Sequence, residues 1–145
     1  MDDDKLALKI LSEATPAQQD GFQYFNNFAV SLARIGQTDT AKKMLDRVDY
    51  DHLSQRDRCI TIATEGLIKF RSGDTENGRK YYQLAINEFD KLGNSEEAAV
   101  ASYYLAEEEK HVKSIEVDKI VQEARKRLGK YKIPILDNRA KKLLD

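Results

Sequence analysis

An all-α fold of stacked helical hairpins is predicted by three observations in this chain. A fixed rhythm of small and large residues occurs twice: Ala29, Gly36, Ala41, Leu45 and Val48 are spaced by 7, 5, 4 and 3 residues, and Gly66, Gly73, Gly78, Tyr82 and Ala85 repeat the spacing 37 residues later. A period of that size marks helical-hairpin repeats, in which no unit buries its apolar face alone and each stacks on the next. Proline, the strongest helix breaker, occurs only at Pro16 and Pro134 in 145 residues. The composition, 41% apolar and 34% charged, is that of a packed helical domain rather than of a disordered chain.

The elements follow in order. Ala7, Leu11 and Ala14 stand 34 residues before Ala41, Leu45 and Val48, so the sequence is expected to open with only the second helix of a unit, a half-repeat over 5–14. Thr15-Pro16-Ala17-Gln18 places a capping threonine, a first-turn proline and a reciprocal glutamine in register, which predicts a helix from near Pro16 to Ile35. Gly36 supplies the positive φ that ends it, and the partner helix carries Ala41, Leu45 and Val48, completing a copy over 22–50. Ser54-Gln55-Arg56-Asp57 opens the next first helix, which ends before Gly73; Asp74 or Thr75 caps its partner, and this copy covers 59–90. Asn94 to Glu97 cap the helix after that, and Ser114 starts one that stops at Gly129. In this degenerate copy, 95–129, Leu105, Val112, Val117, Val121 and Ala124 keep the rhythm at an offset of 39, with Val112 in place of the turn glycine. After Pro134, the residues Ile135, Leu136, Ala140, Leu143 and Leu144 share one face of a C-terminal capping helix within 130–145, expected to cover the open end of the stack.

The rhythm has a packing rationale. Small residues at Ala29/Gly66 and Ala41/Gly78 let the two helices of a hairpin approach closely. Leu45/Tyr82 then fill the space between hairpins, and Val48/Ala85 let the next hairpin nest. With Phe70, Gly73-Asp74, Tyr81-Tyr82-Gln83 and Ala85-Ile86 in the second copy, and Asn27, Ala29, Leu32, Gly36, Ala41 and Val48 in the first, the pattern resembles the tetratricopeptide repeat. The departures are Phe25 and Ile62 at the early aromatic position and Lys69 where an aromatic is usual. The resemblance covers roughly residues 5 to 128 and is strongest across 25 to 90.

The resemblance implies a repeat domain over 5–129 and a non-enzymatic protein-interaction module, part of a larger regulatory or scaffold protein, whose concave groove receives a peptide or a partner domain. Family groove positions fall on Gln23, Asn26, Asn27, Val30, Ala33 and Arg34 in the first copy, and on Ile60, Ala63, Thr64, Leu67, Phe70 and Arg71 in the second. Ser102, Tyr103, Ala106, Glu109 and Lys110 hold the corresponding places in the third. The partner-binding set is thus Asn26, Asn27, Val30, Arg34, Thr64, Leu67, Phe70, Arg71 and Tyr103. Asn27 looks like an asparagine that repeats of this kind use on a peptide backbone, since a carboxamide both donates and accepts; a local helix-packing role is the alternative. Arg34 and Arg71, at equivalent positions, are expected either to hold an acidic partner or to pair with Asp39 and Asp74. Asn26, Val30, Leu67, Ser102 and Ala106 stand where a chaperone-tail carboxylate clamp needs lysine and asparagine, which disfavours that class of ligand.

Formal charge is uneven: through Ile115 there are 15 basic against 20 acidic residues, and from Glu116 onward 9 against 5. The basic segment raises nucleic-acid binding as an alternative function, but only Tyr131 is interleaved for stacking, so a solvated helix face is preferred. Self-association through the bare face of the 5–14 helix is the other alternative. Catalytic candidates are few. His52 and His111 lack ligand partners at metal spacing; Glu107-Glu108-Glu109 reads as a solvated face, with His111 in reach of Glu107 and Glu108; and Cys59, the sole cysteine, suits a small buried hydrophobe. No metal or cofactor is expected. The absence of a run of about 18 apolar residues and of a basic-apolar leader predicts a cytoplasmic, non-membrane chain.

Overall fold

The computed structural model describes residues 2–15, 21–131 and 142. The predicted helix start at Pro16 and the apolar face of the capping helix, Ile135 to Leu144, lie outside them. The described residues form seven α-helices and no strand: α1 (Asp2–Ser12), α2 (Phe22–Arg34), α3 (Thr38–Leu45), α4 (Gln55–Arg71), α5 (Thr75–Lys91), α6 (Ser95–Val112) and α7 (Val117–Leu128). No helix among them is long and apolar enough to cross a membrane.

Four helices end in the same way. At the end of α2, Gly36 takes φ 88°, its N–H donates to the Ala33 carbonyl at 3.0 Å, and the Gln37 N–H reaches back to Leu32 at 2.9 Å. This paired return satisfies carbonyls that the helix leaves without partners. Gly73 at the end of α4 and Gly93 at the end of α5, with φ of 93° and 76°, repeat it. The end of α6 uses the same bonds, from Lys113 to Lys110 and from Ser114 to Glu109, but the left-handed residue is Lys113, with φ 53°. The turn therefore falls one residue beyond Val112, where the repeat spacing had put it.

The starts are more varied. Ser54 caps α4, its hydroxyl accepting from the Asp57 N–H at 3.1 Å, and the Asp74 carboxylate accepts from the Asn77 backbone and side-chain N–H groups at 3.4 and 2.9 Å. Asn94 precedes α6 without a side-chain cap bond. Before α7, the Ser114 hydroxyl accepts from the Glu116 N–H at 3.2 Å. Helix α3 is short and stops at Leu45, so Val48 lies in the turn that follows rather than on the helix. The link runs instead through a 3-10 turn, Tyr50–His52, whose Tyr50 and Asp51 carbonyls accept from the Arg58 guanidinium at 3.2 and 2.7 Å.

The chain divides into two compact units, 1–81 and 82–145, with the boundary inside α5. In the first, α2 packs against α1, α3 and α4, and α3 also meets α4. Phe25, Ala29, Leu32 and Ala33 of α2, Ala41 and Leu45 of α3, and Cys59, Leu67, Ile68 and Phe70 of α4 are its buried apolar residues. Helices α4 and α5 touch at backbone distance: a Cβ on Gly78 would lie 2.6 Å from the Phe70 ring and 2.9 Å from the Gly66 carbonyl oxygen. Gly66 and Gly78 thus do the steric job expected of them. In the second unit α6 packs along α7. Leu105, Ala106, Ile120 and Ala124 are buried there with Tyr82, Ala85, Ile86 and Phe89 of α5, and Arg127 holds Asp90 through two bonds of 3.0 Å each.

Candidate functional site

Helices α2 and α4 carry most of the groove positions, and the structure sorts these into two groups. Asn26, Thr64, Leu67 and Phe70 are buried. The Thr64 hydroxyl donates to Asn26 Oδ1 at 2.6 Å and lies 3.1 Å from the Ile60 carbonyl, so the two side chains form an internal bridge between α2 and α4. A buried amide and hydroxyl satisfied by each other are fixed in place and present little to a partner. Phe70 is turned to Gly78 of α5, where the missing side chain makes room for its ring.

The second group reaches solvent. Gln23 and Asn27 are exposed, and Val30, Arg34, Ile60, Ala63 and Arg71 are half-buried. Arg34 Nη1 lies 3.7 Å from Asp4 Oδ1, both side chains about one-fifth exposed, and thereby ties α1 to α2. Arg71 Nη1 donates to the Arg34 carbonyl at 3.4 Å. That carbonyl belongs to the last turn of α2, where a cation meets the negative helix pole and an orphan acceptor together. The arginines therefore meet through a guanidinium and a backbone oxygen. Asp74 caps α5, and the Asn77 side chain bonded to it holds its carboxyl below the ordinary value.

Tyr103, in the second unit, is fully buried. Its hydroxyl donates to Glu107 Oε2 at 2.5 Å and its ring stands edge-on to Tyr104 at 5.4 Å. The expectation of a solvated acidic face at Glu107-Glu108-Glu109 is corrected here: Glu108 and Glu109 are buried, Glu109 bonded to the Ser114 hydroxyl. Cys59 is buried as expected, and His52 pairs with Asp49 at 2.7 Å on the exposed 3-10 turn. No group of three His, Cys, Asp or Glu among the described residues could hold a metal ion.

Sequence reasoning missed several anchoring residues. Asp4, Arg58 and Arg47, the last with its guanidinium 4.9 Å above the Phe25 ring, lie outside the repeat rhythm, which registers small and apolar positions only. Lys113 was not signalled, since the lost glycine of the third copy pointed to Val112, one residue earlier.

No family model matches the chain, and no curated protein or solved structure does so.

Proposed function

We propose that this chain is a non-enzymatic protein-interaction module, a tetratricopeptide-like stack of hairpins whose peptide or domain partner lies on the face formed by α2 and α4. The observation that carries the reading is the bond from Arg71 to the Arg34 carbonyl. These residues hold equivalent places in consecutive copies, 37 positions apart, and a translational stack sets equivalent positions side by side. With Asn26 and Thr64 committed to each other, the partner is read by Gln23 and Asn27, whose carboxamides suit a peptide backbone, over the apolar Val30, Ile60 and Ala63.

A random peptide library displayed on phage and panned against the full chain tests this. Peptides that bind the wild type and lose binding to the Gln23→Ala/Asn27→Ala variant, with an unchanged melting temperature, are expected. Failure to enrich any such peptide removes the proposal. Leu6 and Ile10, 57% and 61% exposed and one turn apart on α1, favour a second reading, self-association through that helix. Sedimentation velocity of the wild type and of Leu6→Gln/Ile10→Gln separates the two, since only self-association gives a dimer that the variant loses.

A further inference from the structure

Where α6 gives way to α7, a cavity of about 480 Å³ is lined by Lys110, Lys113, Ser114, Val117, Asp118, Val121, Gln122 and Arg125. Its charge is one-sided, three cations against the single carboxylate of Asp118, in a molecule whose formal net charge is -1. The cations are also separated. Lys110 and Lys113 stand at the end of α6, whereas Arg125 lies eight residues along α7 from Val117, about 12 Å at the helical rise. Val117 and Val121, four residues apart and hence on one helix face, line the stretch between them. Ile120 and Ala124, on the neighbouring face, are buried.

We propose that this cavity binds an acidic peptide segment of a partner protein, in which two carboxylates flank an apolar residue. Carboxylates four residues apart in an extended chain fall on one face and are separated by about 13 Å, within reach of the long side chains of Lys110 and Lys113 at one end and Arg125 at the other. The apolar residue midway between them, on the same face, covers Val117 and Val121, and the Gln122 carboxamide supplies a donor and an acceptor for the peptide backbone. A nucleic-acid strand fits less well: its charge is continuous, so phosphates would fall on the two valines and on Asp118, and no aromatic residue lines the cavity to stack a base. The position of Lys113 agrees with a ligand role. Glycine occupies the left-handed turn after α2, α4 and α5, and here alone among the described positive-φ positions it is replaced by another residue, a lysine that lines the cavity.

The probe is a fluorescein-labelled peptide with two glutamates flanking three residues of which the central one is leucine, titrated with the full chain and read by anisotropy. Saturable binding is expected, weakened about tenfold or more in Lys113→Glu/Arg125→Glu. Lys126→Glu/Lys130→Glu, the same charge change at exposed positions outside the cavity, should shift it by no more than about twofold. Lys113→Gly guards against a folding artefact, since it relaxes the turn while removing the cation: a variant at least as stable as wild type that binds the peptide about threefold more weakly supports a ligand role. Asn27→Ala leaves this binding unchanged, which separates it from the α2–α4 face. Absence of binding, equal loss in the Lys126/Lys130 control, or tighter binding of a single-stranded oligonucleotide that is lost in the same reversal would each overturn the proposal.

Discussion

Lys113 sits at φ 53° where three comparable turns place glycine. A side chain in the left-handed region costs about 1–2 kcal/mol, so Lys113→Gly is expected to raise stability by about 1 kcal/mol, net of the added freedom of glycine in the unfolded chain. Gly36→Ala and Gly73→Ala are expected to lose about 1–2 kcal/mol each for the converse reason, although a Cβ at either place meets nothing within 4 Å. Urea melts of the three variants check the signs. Gly36 and Gly73 were legible in the sequence because a glycine seven residues after a small helix residue has few other uses. Lys113 was not, because nothing in the chemistry of lysine announces a left-handed backbone. The Asn26–Thr64 bridge was hidden for another reason: the two stand 38 residues apart, one off the repeat offset, so register alone put Asn26 on the groove and did not pair it with Thr64.

The contact of α4 with α5 turns on one absent methyl group. Alanine is a better helix former than glycine by about 1 kcal/mol, yet Gly78→Ala is expected to destabilise by about 1–3 kcal/mol, because its Cβ would stand 2.6 Å from Phe70 and 2.9 Å from a backbone oxygen. The rigid oxygen leaves the helices no choice but to separate. A gain in stability on calorimetry would contradict this close approach. The start of α5 carries a pH signature. The Asp74 carboxyl, held below its ordinary value mainly by the Asn77 side chain, contributes its cap fully above the unfolded carboxylate range, and the contribution disappears as pH falls through the folded value. The difference in melting temperature between wild type and Asp74→Ala is therefore expected to be largest near neutrality and to shrink below about pH 4. Caps and stops were well marked in the sequence, at Ser54 and Asp74 above all. The early end of α3 was not, since Val48 keeps the repeat spacing whether it lies on the helix or in the turn after it.

For the molecule as a whole, the sequence marked the helices and their order better than it marked the surface they offer. The repeat rhythm records which residues must be small or apolar, a steric requirement shared by every copy; exposure of a polar side chain depends on what one particular neighbour does. Replacing Asn27, Arg34 and Arg71 together by alanine looks, from position alone, like a pure surface change. The structure predicts otherwise, because Arg34 joins α1 to α2 through Asp4 and Arg71 serves the end of α2. The triple variant is expected to melt several degrees lower, while Asn27→Ala alone melts with the wild type; equal melting of all three proteins in scanning calorimetry would show the arginine links to be inert. The basic excess after Glu116 is likewise partly occupied at home, since Arg127 clamps Asp90.

Helix ends are where unravelling begins, and the guanidinium of Arg71 rests on the last turn of α2. Loosening of that turn must first break a link to α4, so the first hairpin cannot fray at this corner without disturbing its successor. Strain applied there would be passed from α2 to α4, as tension passes along a laced seam.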